Sequence, residues 1–521
     1  MRFFLASGLF LGIAACGAAA DSAILPFERE PVVRLISPVS ATLDILVAKQ
    51  MAAGGRRARS CSDAVFLRRV FLDVIGTLPT KEEAAAFLDD KSEGKRGELI
   101  NRLLERPEYA DYWGMKWGDI LRVKSEFPVN LWPNAAQAYD GWIRASLRKN
   151  MSCTEFARRL LTSEGSNFRD PEVNFLRAAG SREPEALAAA AALTFLGERT
   201  ANWTPEKRAG LARFFSRVGF KKTKEWKEEI VFFDSSRNER DRPAVALLPD
   251  GTEARLDPNV DPREVFFQWL TTSPKSPFAK NAANRLWFWI FGKGIIQEPD
   301  DSRPDNPPSN PALLAWLARQ LESARYDTKQ LLRIILNSET YQRSTIPPGG
   351  KSEEGPYVVR RLEAEVLIDA INRITGAHEE YMSMIPEPFT FLPDETRAIT
   401  VPDGSITSSF LELFGRPPRD TGLLAERTLK ITTTQRLSLL NSRSILSKIN
   451  NSKKLAALIG GTKSSQEAVS LLYLTILSRQ PTAEELATIA AFEASEKTGK
   501  NQKMLDVAWA LMNSPEFLYR H

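Results

Sequence analysis

Residues 71–83, FLDVIGTLPTKEE, return at 473–485 as YLTILSRQPTAEE, with Pro79 and Pro481, Thr80 and Thr482, and both glutamate pairs in step. In each copy an apolar run stops before the proline. The threonine is a good N-cap, and the second glutamate, three residues on, completes a capping box. The pattern therefore predicts one αα-hairpin near each end of the chain. The likeness continues: Leu103-Leu104-Glu105-Arg106-Pro107-Glu108-Tyr109 corresponds to Leu511-Met512-Asn513-Ser514-Pro515-Glu516-Phe517. Leu336-Asn337-Ser338-Glu339-Thr340-Tyr341 is a third relative of this closing motif, and Leu440-Asn441-Ser442 a weaker fourth. Asparagine tolerates a left-handed helix end and serine caps the next turn, so L-N-S reads as helix punctuation before it reads as a binding motif.

Working outward, helical periodicity dominates. Leu99, Ile100, Leu103 and Leu104 form one apolar face; Leu362, Val366, Leu367, Ala370, Ile371 and Ile374 form a longer one. Strand signals are confined to the middle. Ile230–Phe233 is β-branched and aromatic, and Ala244–Leu248 leads through Pro249-Asp250-Gly251 into Thr252–Leu256 as a hairpin. The expected fold is mainly α: a multi-helical two-domain protein, a short β-hairpin insert between the halves, and the repeated αα-hairpin near both ends. We expect a helix over 38–51 and a linker up to residue 60, a first helical domain over 61–235, the hairpin over 236–262, and a second helical domain over 263–521. Another non-helical interval, rich in Pro and Asp, is expected over about 384–408.

Composition narrows the chemistry. The 521 residues are 43% hydrophobic, 26% charged and 9% aromatic, which is ordinary for a globular protein with a real core. Only two histidines occur, His378 and His521, too few for a histidine triad or a multi-histidine zinc site. His378 is expected at a helix end, facing solvent. The motifs G-x-S-x-G, H-E-x-x-H and the phosphate-binding loop are absent, and Ser92-Glu93-Gly94-Lys95 lies in a polar loop. A net charge of +5 is a weak bias on a chain this large, and Lys221–Lys227 is interleaved with Glu225. That stretch reads as a solvated helix face rather than a nucleic-acid groove.

Met1-Arg2, the uncharged run Phe3–Ala15 and the small residues after it read as a signal peptide over 1–20. Two processing readings compete: cleavage after Ala18-Ala19-Ala20, or a lipobox, Ile13-Ala14-Ala15-Cys16, with Cys16 lipidated and serving as a lipid anchor. No later stretch is apolar and long enough for a transmembrane span, so the mature chain is expected in the periplasm or on the cell surface. There Cys61 and Cys153 are a disulfide candidate, with two unpaired thiols as the alternative.

Phe66-Leu67-Arg68-Arg69-Val70-Phe71-Leu72-Asp73, Leu78-Pro79-Thr80, Arg106-Pro107-Glu108-Tyr109 and Trp113–Trp117 give the first half a resemblance to the planctomycete cytochrome C domain 2 family, domain of unknown function 1549. The second half resembles planctomycete-specific domain 1, domain of unknown function 1553. It does so through Asn284-Arg285-Leu286-Trp287, Phe291-Gly292-Lys293-Gly294, Asn306-Pro307-Pro308-Ser309, Phe414-Gly415-Arg416-Pro417-Pro418-Arg419 and Asn513-Ser514-Pro515-Glu516-Phe517. The resemblance implies an architecture and no assigned activity. Many relatives carry C-x-x-C-H after a segment like Leu193–Gly197, supplying the thioethers and axial histidine of a c-type haem. Here Glu198–Trp203 stands in that place, without cysteine or histidine, so no covalent haem is expected there and no cofactor is assigned. Cysteines that some relatives carry after F-G-R-P-P-R are replaced by Gly422-Leu423-Leu424-Ala425.

Two clusters remain as candidates. Trp117, Asp119, Arg122, Lys124 and Glu126 lie within a few helical turns; they suit a sugar or peptide site, or a core helix with flanking ion pairs. Asn281, Asn284, Arg285, Asp300, Asp301, Arg303 and Asn306 offer carboxylates and amides for calcium or for acid–base work, or a loop knitted by Asp–Arg pairing; we assign no metal. The leading expectation is an extracytoplasmic binding or scaffold protein whose partners are envelope proteins or polysaccharide, without nucleic acid. The alternative is a carboxylate enzyme on an extracellular polysaccharide, using Asp119, Asp300 or Asp301, with Arg285 or Arg303 as charge clamps.

Overall fold

The computed structural model describes residues 37–51, 60–237, 244–345 and 357–521. The signal peptide, Cys16 and most of the 52–60 linker lie outside the described residues. The fold is mainly helical, 57% of the described residues, with a few short strands among them. Among the described residues no helix is long and apolar enough to cross a membrane.

The repeat is visible in three dimensions. Helix Asp63–Ile75 ends at Gly76 (φ 59°), and its counterpart Ser465–Leu477 ends at Ser478 (φ 61°), the matching position. Both left-handed residues turn the chain into Thr80 and Thr482, and each threonine closes a complete capping box, with Glu83 and Glu485 respectively. One further contact ties the capping-box glutamate to the glutamate of the closing motif. Arg106 bridges the capping-box Glu83 and the closing-motif Glu108. In the second copy Arg479, standing where Thr77 stands in the first, bridges Glu485 and Glu516, both at 2.7 Å. The same three-point clamp is built from two different arginine positions.

The L-N-S motif is indeed punctuation, by a different device from the one expected. Asn337 (φ −83°) and Asn513 (φ −93°) stay right-handed. Their amides instead donate to the carbonyls four residues back, Arg333 and Trp509, and Ser338 and Ser514 accept from the backbone N–H of Tyr341 and Phe517.

Two apolar clusters form the interior. One joins the first helices, from Leu43 to Ile120, to the C-terminal part, from Ala283 to Leu518; the other spans Leu121 to Phe278. The core thus divides the chain near 120 and 280, whereas the sequence places its punctuation at 236–262. Segments from both ends interlock: Arg68 donates to the carbonyls of Ile476 and Phe517. Strands β6 (Arg360–Arg361) and β7 (Tyr519–Arg520) pair antiparallel to finish the closure.

The remaining strands flank the second cluster. β1 (Gly165–Ser166), β3 (Glu229–Phe233) and β2 (Val218–Lys222) form a sheet in that order, and β4 (Ala244–Leu247) pairs with β5 (Glu253–Leu256) through the expected Pro-Asp-Gly turn. The lysine-rich stretch is not a helix face. Lys221 and Lys222 end β2, opposite Ile230 and Glu229, and Lys224–Lys227 form the hairpin tip. Val218 and Phe220 pair with the β-branched and aromatic strand, so sheet pairing outweighs the local helical appearance.

Cys61 and Cys153 are not joined to each other. Each belongs to a different packing environment: Cys61 is buried in the first cluster, its carbonyl accepting from Arg96, while Cys153 opens the helix Cys153–Thr162 against the second.

Candidate functional site

Asp119, near the end of the helix Pro107–Ile120, is buried, and both its oxygens are taken. Oδ1 accepts from Arg419 Nε at 3.0 Å, and Oδ2 from Arg427 Nε and Nη2 at 3.0 and 2.7 Å. Arg427 also grips Glu365 through two bonds, at 2.6 and 2.9 Å. A Cβ on Gly118 would lie 3.0 Å from the Arg419 guanidinium carbon, so the glycine makes room for this ion pair. Beside it lies a second buried cluster. Asp73 accepts from Tyr341, Tyr357, Arg520 and Arg360, while Glu363 accepts from Tyr112, Lys116 and Arg520. Burial alone raises a carboxyl, but Arg520 and Lys116 outweigh it and hold Glu363 well below the usual range. Burial pushes the Lys116 ammonium down to about 8. Every oxygen of Asp119, Asp73 and Glu363 accepts at least one bond from the protein itself, which is how a buried charge is kept.

The second candidate cluster is a knitted loop. Asn284 accepts from the backbone N–H of Ile295 and Ile296 and donates to the Ile296 carbonyl. Arg285 donates to the carbonyls of Leu193 and Thr194 and to Asp300, whose other oxygen accepts from Leu424 N–H at 2.6 Å. Asp301 pairs with Arg303 at 3.0 Å, and Asn306 donates to the Asp301 carbonyl. Among the described residues no three His, Cys, Asp or Glu side chains converge as metal ligands. At the position of the relatives' haem motif, Glu198 accepts from the Trp203 indole, and Lys207 lies 3.9 Å from that ring's centre. Without a thiol or imidazole, these residues do not fit a c-type haem.

Trp117 is half-buried and touches both apolar clusters. Its ring lies 5.7 Å from Trp289, in edge contact, and 5.2 Å from Phe156. Together with Trp113 and Cys153 it lines an internal cavity of only about 40 Å³. That is room for about one water, so the tryptophan pair is core.

What the arginines do is hold a loop. Arg419 also donates to the carbonyls of Val123 and Pro402, Arg416 to those of Ile406 and Asp403, and Lys124 pairs with Asp420 at 2.6 Å. Asp403 and Ser405 accept from the backbone N–H of Ser125 and Glu126. The F-G-R-P-P-R motif and the interval before it therefore pin the 121–132 loop. Arg122 stands in that loop with φ 57°, near Asp420 and Glu426, packed beneath Gly422.

The pinned loop displays what the sequence did not single out. Phe127 is 79% exposed, Met384 89% and Trp226 70%, and Met382, Phe389 and Phe391 are exposed with them. Trp132 sits at the centre, 6.2 Å from the Trp226 ring and 5.5 Å from Phe389, with Lys227 Nζ 4.8 Å above it. Beside it opens a groove of about 340 Å³ lined by Phe127, Trp132, Met384, Ile385, Glu126 and Asn130. Trp132 holds φ 75°, ψ 145°, a conformation that suits glycine and costs a bulky residue about 1–3 kcal/mol. The loop's backbone bonds, Leu131 N–H to Lys124 and Trp132 N–H to Ser125, hold it there. Trp132 thus stands strained at the centre of an exposed apolar face.

One buried acid fixes the other side of this face. Asp369 accepts from the backbone N–H of Ala398 and Ile399, at 2.6 and 3.2 Å, within the Pro-rich interval. Burial pushes its carboxyl up to about 6. The native state then binds the proton more tightly than the unfolded chain, so this group's stabilising contribution is complete below about pH 4 and is lost as pH rises through about 6. Asp369→Asn, which cannot ionise, is expected to gain about 2–3 kcal/mol relative to the parent between pH 4 and pH 7, read by urea melts at both. A pH-independent difference would contradict this.

Against known proteins, residues 42–205 match the model of a protein family of unknown function, DUF1549 (PSCyt2). Residues 262–493 match that of DUF1553 (PSD1), also of unknown function. The chain is a DUF1549–DUF1553 protein. No curated protein and no solved structure matches it. The first match ends at the start of the helix Pro205–Ala212, before β2, and the second opens on the helix Pro262–Thr272. The two matched segments of this DUF1549–DUF1553 chain share the first core, since the helices before residue 120 pack with those after 283.

Proposed function

We propose that the chain acts by contact rather than by turnover, as a non-haem binding or scaffold component of the cell envelope, with the Trp132 face as its contact surface. The observation that carries this reading is the gathering of exposed Phe127, Trp226, Met384 and Phe389 around a strained, half-buried Trp132. Trp132 and Trp226 meet edge-on at 84°, so they present ridges rather than a flat sugar platform. The methionines add the adaptable apolar surface typical of protein contacts. The polysaccharide-enzyme alternative is less favoured, because Asp119 and Asp300 are engaged by arginines and a backbone N–H group and Asp301 pairs with Arg303.

A photo-crosslinking residue placed at Met384 in living cells tests the reading. A covalent adduct is expected there, and none from the same residue at Lys497, in the exposed turn before the last long helix. Absence of an adduct at Met384 would overturn it.

A further inference from the structure

The face has two rims of opposite sign. On one side of Trp132 stands the β2–β3 hairpin, where Lys221, Lys222, Lys224 and Lys227 are exposed beside Trp226, with Glu225 as the one exposed acid. Glu228 is turned inward, accepting from Ser166 and Thr223. On the other side stands the Pro-rich interval, where Glu387, Asp394 and Glu395 are exposed around Phe389 and Phe391, with no basic residue over 386–395. Trp132 touches both rims, through Trp226 and through Phe389.

A uniformly acidic partner would be drawn to the hairpin and repelled by the Pro-rich rim; a basic partner would meet the reverse. The occupant that fits carries both signs in the opposite order across an apolar centre. We infer that it is a second copy of this chain, docked about a two-fold axis. In such a contact each basic hairpin faces the other copy's acidic loop, and the Phe127–Trp132–Met384 grooves cover one another. A two-fold interface is self-complementary by construction, so one dipolar face satisfies both sides at once.

The inference rests on the contact reading above, and sedimentation velocity of the purified full chain separates the two. The parent is expected to dimerise with rising concentration, more weakly at high salt. Lys222→Glu with Lys224→Glu is expected to weaken dimerisation about tenfold or more, as is Glu387→Lys with Glu395→Lys. An equimolar mixture of these two double variants is expected to form heterodimers of about parental affinity, because both rims are then matched again. All four positions are exposed, so unchanged melting temperatures verify folding. A parent that stays monomeric, or double variants that dimerise as the parent does, would overturn the second-copy inference. If the Met384 crosslink in cells then joins the chain to a different protein, the contact reading stands without it; if no crosslink forms, both fall.

Discussion

Replacing Asp119 with alanine is expected to destabilise the fold by about 3–5 kcal/mol, because it leaves Arg419 and half of the Arg427 grip buried without their carboxylate. The effect is read as a lower urea midpoint and melting temperature. Disruption should spread to the Trp132 face, since Arg419 also holds the carbonyls of Val123 and Pro402. A catalytic aspartate behaves in the opposite way: its loss leaves stability intact or improved and removes turnover. An Asp119→Ala variant with the parental melting curve would show that the ion pairs contribute nothing net, and would return Asp119 to the list of catalytic candidates.

The second large effect is expected at Arg479. Arg479→Met removes the cation between Glu485 and Glu516, leaving the buried Glu516 without its bidentate partner at 2.7 Å. Burial already pushes the Glu516 carboxyl upward, and Arg479 is what opposes that. The cost is again about 3–5 kcal/mol at neutral pH. It should shrink as pH falls and Glu516 takes up a proton in the variant. The matching change in the first repeat, Arg106→Met, is expected to cost less, near 1 kcal/mol, because Arg106, Glu83 and Glu108 are all partly solvated. Equal costs at the two sites would contradict the assignment of burial as the deciding factor.

The repeat, the capping boxes and the Pro-Asp-Gly hairpin were legible in the sequence because each is a local device, complete within about ten residues. The clamp formed by Arg479 was not, since its partners lie both six and thirty-seven residues away. Tertiary pairing also decided the Lys221–Lys227 stretch, where alternation is short and β3 supplies the missing half of the pattern. Of the candidate residues, Asp119, Asn284, Arg285 and Asp300 were picked out because polar groups gathered in one segment suggest chemistry. The structure spends Asp119 on arginines some three hundred residues along the chain, and Asn284, Arg285 and Asp300 on backbone groups and on each other. The contact face escaped notice for the reverse reason: Phe127, Trp226 and Met384 sit in loops, with no helical or alternating period to mark them, and only the fold brings them round Trp132.

The oxidation rate of Met384 in its native setting tests most directly whether the Trp132 face is covered. In dilute purified protein the Met384 thioether is 89% exposed, so mild peroxide should convert it to the sulfoxide quickly, with Met382 close behind. In intact cells both methionines are expected to be protected, while the buried Met504 reacts slowly in either setting. Equal rates for Met384 in cells and in dilute solution would mean that nothing covers the face, and would contradict its role as a contact surface.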